Sequence, residues 1–285
     1  YFGLRLVDMA GRYRAEVRTI EKPWGEWFSL EELEAAILEH KPAILAMVHA
    51  ETSTGVCQPM DGVGDLCRRH DCLLLLDTVT SLGGVPLYID EWKVDLAYSC
   101  SQKGLSCPPG LGPFTMGPRA EAKMAARQDK VPNWYLDVSL LNKYWGSDRV
   151  YHHTAPVNMN FGMREALRLL AEEGLDQSWA RHRLNAEALW SGLEALGLEM
   201  VVPEEHRLPT LTTVRIPDGV DGKAFSQHLL NTHGIEVGGG LGSFAGKIWR
   251  IGLMGYNSTP ENVERLLNLF ETELPRFRQG VAVAA

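Results

Sequence analysis

Leu73-Leu74-Leu75-Leu76-Asp77-Thr78-Val79-Thr80-Ser81 is the stretch whose reading decides the fold, and Ser101-Gln102-Lys103 is its counterpart further along the chain. An unbroken apolar run of this length fits a strand buried on both faces, as in a parallel sheet. The acid that ends it falls at the carboxyl edge, where open α/β sheets keep their ligands. A second short strand, Asp95–Ser99, leads toward Lys103. Two strands thus deliver a carboxylate and an amine to one sheet edge. Upstream, Ser29 and Glu32 form a capping box for a helix running to about His40. A strand over Ala43–His49 and a helix over Asp61–His70 then precede the leucine run. Strand–helix–strand alternation implies parallel βαβ units.

A lysine and a carboxylate at one edge suit pyridoxal phosphate (PLP). The amine can bond the aldehyde, and the carboxylate keeps the pyridine nitrogen protonated, which makes the ring an electron sink. A strand-end aspartate capping a helix, with a surface lysine nearby, would show the same spacing. The pair alone leaves both readings open.

Composition narrows the classes. The chain has 285 residues, 45% of them hydrophobic, with net charge −8. No basic run marks a nucleic-acid surface. No apolar stretch is long enough to span a membrane, and Tyr1-Phe2-Gly3-Leu4-Arg5 lacks a signal-peptide layout. The five cysteines form no Cys-x-x-Cys pair, so free thiols in a reducing compartment are expected. The ending is not of peroxisomal type. A cytoplasmic location follows as the expectation, with no metal site.

The rest of the chain reads as a helix over Leu4–Arg14, a strand over Val17–Ile20 and a strand over Leu111–Met116, this last an edge or antiparallel one. Long helices over Pro156–Glu173 and Leu175–Leu196 meet at Gly174, a C-cap. Beyond it the pattern changes to short strands at Met200–Val202, Thr212–Ile216, Gly234–Val237 and Lys247–Leu253. Helices at Phe225–Thr232 and Pro260–Leu274 accompany them, the second with Thr259 as N-cap. The reading divides the chain into a large unit, 1–173, and a smaller α+β unit, 174–285.

Ordered motifs then connect these elements: His49-Ala50-Glu51-Thr52-Ser53-Thr54-Gly55, Leu75 to Gly84, Tyr98 to Lys103, Trp145-Gly146, Tyr151-His152-His153-Thr154, Gly239 to Gly242 and Trp249-Arg250-Ile251-Gly252. In this order the sequence resembles the class V, fold type I PLP-dependent aminotransferases, in particular the alanine–glyoxylate and serine–pyruvate group. The resemblance implies an α/β fold with a mostly parallel central sheet and a smaller C-terminal domain. It implies transfer of an amino group between alanine or serine and glyoxylate or pyruvate. Lys103 would be the covalent anchor and the proton carrier, and Asp77 the partner of the pyridine nitrogen. Val79 would pack on the ring, although it also reads as a plain core valine. Thr52 would bond the phenolic oxygen, and Gln102 the phosphate. Tyr151 and Thr154 would reach the phosphate of a neighbouring subunit's cofactor, which implies a homodimer with shared sites. Arg250 would take the substrate carboxylate, since a guanidinium fork matches it. His152 and His153 read as structural.

Family members carry a segment before the match at Tyr1-Phe2-Gly3, with a small-residue phosphate loop, a ring-stacking aromatic and an arm around the partner. The reading expects these parts to be missing, so a non-catalytic fragment of such an enzyme is one alternative. Cysteine desulfuration is another; it needs a late-loop cysteine, and none follows Cys107.

Overall fold

The computed structural model describes residues 1–278. Helices α1 (Phe2–Arg12) and α2 (Leu30–His40) come first. Strand β1 (Ile44–Val48) follows, with the two-residue strands β2 (Ala50–Glu51) and β3 (Val56–Cys57), then α3 (Val63–Arg69). Next come β4 (Leu73–Asp77), β5 (Leu96–Tyr98), β6 (Phe114–Met116), α4 (Pro118–Ala125) and α5 (Val138–Trp145). The chain continues through α6 (Val157–Glu173), α7 (Leu175–Ala195), β7 (Leu211–Arg215), α8 (Gly222–His233), β8 (Gly238–Gly239), β9 (Ile248–Gly252) and α9 (Pro260–Glu273).

The main sheet has the order β1-β4-β5-β6. β4 lies inside it, parallel to β1 and β5, while β6 runs antiparallel at the edge. This is the α/β, mostly parallel arrangement that the leucine run predicts. Leu74 and Leu76 are fully buried among Leu33 and Ile37 of α2, Leu66 and Cys67 of α3, and Ala97 of β5. The capping box of α2 forms in full, Ser29 accepting from Glu32 N and Glu32 from Ser29 N. A second core joins Leu189 and Leu193 of α7 to Val214, Phe225, Trp249, Ile251 and Phe270 around the antiparallel sheet β7-β9-β8. Gly174, at φ +88°, ends α6 between the two regions.

The amino edge of the main sheet is closed by an ion pair between the buried Asp95 and the partly exposed Arg119. Asp95 Oδ2 accepts from Leu74 N at 2.9 Å and from Arg119 Nη1 at 2.9 Å. The opposite, carboxyl edge is left for other chemistry.

Some expected elements change. Val17–Ile20 pairs with no strand among the described residues and is not itself a strand; β-propensity without a neighbour to hydrogen-bond makes no sheet. Met200–Val202 is reduced to a bridge between Met200 and Val214. Gly234–Val237 is consumed by the end of α8: Gly234 takes a left-handed cap and Ile235 N bonds Leu229 O at 3.1 Å. The strand therefore begins only at Gly238. Helices α4 and α5 are additions; Pro118 starts α4 at a position that needs no backbone donor.

His49 follows β1 with its ring buried, Nδ1 without a partner among the described residues and Nε2 at 3.6 Å from Cys57 Sγ. Burial lowers its pKa from 6.5 to about 4. A histidine depressed in the fold stabilises it fully above 6.5, and that contribution drains away as pH falls toward 4. It amounts to roughly 3 kcal/mol as an upper figure. Denaturant unfolding at pH 7.5 and 4.5 should show this loss in the parent and a flatter response in His49→Phe. An equal pH response in both would refute the assignment.

Candidate active site

Asp77 sits at the end of β4, 6% exposed, directly opposite Tyr98 on β5. Its Oδ1 accepts from Val79 N at 2.9 Å and its Oδ2 from the Tyr98 hydroxyl at 2.6 Å. Burial raises the carboxyl's pKa, and these two donors oppose the rise. The Glu51 charge adds to the rise, and that of Arg5 on α1 subtracts from it. The two strand ends are cross-tied: Thr78 Oγ1 donates to Tyr98 O at 2.8 Å and Ser99 Oγ to Thr78 O at 3.0 Å.

Lys103 lies in the tight turn that follows β5. Ser106 N bonds Lys103 O at 2.9 Å and Cys107 N bonds Ser101 O at 3.0 Å. A Cβ on Gly104 would lie 2.3 Å from Leu82 O, so only glycine lets this turn lie against the loop after Asp77. Lys103 is half-buried, and among the described residues its amine has no hydrogen bond or ion pair. Cys100 feels the charges of both groups. Burial raises its thiol pKa, the Lys103 charge lowers it and the Asp77 charge raises it.

Thr52 is buried in the loop after β2, and its carbonyl accepts from Arg250 Nη1 at 3.3 Å. Arg250 Nε also donates to Gly239 O at 2.7 Å. Burial lowers the arginine's pKa, and the Glu51 charge opposes this. The loop is pressed onto β7, where Thr213 Oγ1 donates to Thr54 O at 2.7 Å. A Cβ on Gly55, at φ +79°, would lie 2.7 Å from that hydroxyl. Asp77, Val79, Thr52, Lys103 and Arg250 thus occupy the same side of the fold.

Gln102 is exposed beside Lys103. Tyr151 and Thr154 stand apart. Tyr151 is 72% exposed, its hydroxyl 3.1 Å from Thr154 Oγ1, and among the described residues neither side chain bonds Asp77, Lys103, Thr52 or Arg250. They flank an aromatic cluster in which His152 stacks on Trp134 at 4.0 Å and meets His153 Nδ1 at 2.9 Å.

Three groups escape the sequence reading. Tyr98 is found only through strand register. Glu51 accepts from Phe2 N at 3.0 Å and Ser53 N at 2.9 Å, and its charge acts on both Asp77 and Arg250. The Phe2 bond holds the first turn of α1 at this edge. His228, His233 and Glu273 bring metal-type ligand atoms within 4.8 Å of one another. An ion-pair network accounts for this group, because Arg276 Nη1 holds the same Glu273 oxygen at 2.5 Å that meets His228 Nε2 at 3.0 Å. No helix among the described residues is long and apolar enough to cross a membrane.

Comparison with known proteins gives the family. The model of the family "Aminotransferase class-V" fits residues 4–266. Alanine–glyoxylate aminotransferase of Mus musculus is 44% identical over 269 residues, covering 93% of this chain. The chain spans 65% of that protein's length. The (S)-ureidoglycine–glyoxylate transaminase of Bacillus subtilis is 39% identical over 298 residues, covering 98% of this chain and 72% of its own. The crystal structure of an alanine–glyoxylate aminotransferase from Nostoc sp. superposes with a TM-score of 0.94 at 66% identity, covering 95% of this chain and 72% of that one. With its sheet edge, its motifs and these relatives in agreement, the chain belongs to the class-V aminotransferase family.

Proposed function

We propose that this chain catalyses PLP-dependent transamination between a small amino acid, alanine or serine, and a 2-oxo acid, glyoxylate or pyruvate. One observation carries the reading. A buried carboxylate, a lysine without a partner among the described residues and a half-buried arginine are set around the carboxyl edge of one sheet, in a chain whose similar relatives are named for glyoxylate transamination.

The donor set fits the cofactor. Each Asp77 oxygen accepts one hydrogen bond from the chain and keeps acceptor capacity for a protonated ring nitrogen. The Lys103 amine is unengaged among the described residues, as an anchor must be. When bound, the cofactor supplies an aldehyde and an electron-withdrawing ring. The protein's residues do the rest. Lys103 Nζ would be the group that carries the proton removed from the substrate Cα, as general base and then acid. Arg250 holds the substrate carboxylate with the N–H groups left open by Gly239 O and Thr52 O. Val79 would pack on the ring, Thr52 would bond the phenolic oxygen and Gln102 the phosphate.

The same proposal divides the chain into a cofactor unit, 1–173, and a smaller unit, 174–285, each around its own core. It also includes a homodimer, in which Tyr151 and Thr154 reach the partner's phosphate. The exposed rings of Trp134, Trp145, Tyr151 and Phe161, and helices α5 and α6 without a buried residue, support a covered face there.

A panel of amino donors with glyoxylate as acceptor tests the activity. Turnover with alanine or serine at least about tenfold above larger donors is expected, a preference that the similarity to alanine–glyoxylate aminotransferases supports. Equal, negligible turnover with every donor in a PLP-loaded protein would sink the proposal, and sulfide release from cysteine would redirect it to desulfuration.

A further inference from the structure

We propose that Tyr98 is a positioning residue that fixes the Asp77 carboxylate as the acceptor for the cofactor's ring nitrogen. The inference rests on the reading above but adds a group that no motif assigns. Asp77 and Tyr98 are register partners on adjacent parallel strands, so their side chains leave the sheet on the same face. The phenol crosses from β5 to Oδ2 at 2.6 Å, while Val79 N reaches Oδ1 at 2.9 Å from the loop. A carboxylate held at both oxygens from two elements has a fixed plane, which a ring nitrogen requires of its partner.

The backbone of Tyr98 is pinned as well. Its carbonyl accepts from Thr78 N at 2.9 Å and from Thr78 Oγ1 at 2.8 Å. Register and backbone therefore both define where the hydroxyl stands. Burial raises the phenol's pKa and the bond to Asp77 raises it further, so Tyr98 stays a donor. The other charged groups facing this pair are Glu51 of β2, which favours protonation of Asp77, and Arg5 of α1, which opposes it. The Lys103 charge lies close by, at Cys100. None of them replaces a direct O–H donor to Oδ2.

The test compares the parent with Tyr98→Phe, which keeps the ring and removes only the hydroxyl. The Asp77 carboxyl is titrated by ¹³C NMR without cofactor, and PLP affinity is measured separately by tryptophan quenching. The variant should raise the Asp77 midpoint by about one pH unit, the size of one lost charge-assisted bond. It should raise the PLP Kd about tenfold or more. 3-Fluorotyrosine at position 98, a stronger donor of the same shape, should move the midpoint the other way. It also serves if the phenylalanine variant does not fold. An unchanged Asp77 midpoint in both variants overturns the proposal. So does a shifted midpoint with unchanged PLP affinity, since the bond would then not serve the cofactor. If the parent itself binds no PLP, the cofactor reading falls and this proposal falls with it, whereas an unchanged Asp77 midpoint removes Tyr98 alone.

Discussion

Lys103→Ala is expected to lower turnover of alanine with glyoxylate by about 10⁴-fold, the upper range for removing a positioned acid–base group. The reason lies in the turn. Ser101, Ser106 and Cys107 hold it by hydrogen bonds, and Gly104 lets it approach the loop after Asp77. The amine is therefore delivered by a defined backbone and has no partner of its own among the described residues. No other lysine lies in this turn or in the Asp77 loop to replace it. The absorption band of lysine-bound PLP should be present in the parent and absent from the variant. Lys103→Arg makes the sharper control, because it keeps the charge but cannot give up its proton. A band of parental intensity in Lys103→Ala would place the anchor elsewhere.

Arg250→Ala is expected to cost about 100- to 1000-fold in kcat/KM, mostly through KM, while leaving the lysine-bound band intact. Removing one partner of a desolvated charge pair costs roughly 2–5 kcal/mol, which sets this range. Arg250 is half-buried, and Gly239 O and Thr52 O hold it from two sides. The side chain is thus preorganised before any carboxylate arrives, and little entropy remains to be lost on binding. Arg250→Lys should recover only part of the effect, since an ammonium lacks the planar fork. Loss of the cofactor band in Arg250→Ala would show that the arginine serves the cofactor site instead.

Much of the architecture is legible in the sequence. Leu73–Asp77 reads as a doubly buried strand because a central parallel strand has no solvent face to mark with polar residues. Ser29 with Glu32, and Thr259 with Pro260, mark helix starts through local hydrogen bonds that need no tertiary context. The readings that failed share a cause. Val17–Ile20 has the composition of a strand but no neighbour, and Gly234–Val237 has it but is claimed by the cap of α8. Pairing is a property of two segments, and one segment cannot encode it alone.

The amino-acid sequence by itself determined which strand ends in an acid, which turn carries a lysine, which short strand carries an arginine, and, through their order, the family. Only the tertiary structure decided how these groups are held. The β4–β5 register puts the Tyr98 hydroxyl on Asp77, although the two residues are far apart in the chain. The packing of β7 against the Thr52–Gly55 loop brings Arg250 to Thr52. The fold also sets Glu51 between Phe2 of α1, Asp77 and Arg250. These contacts arise from closing long loops, where the deciding energy is burial summed over whole elements. Residue type and local spacing do not carry that information.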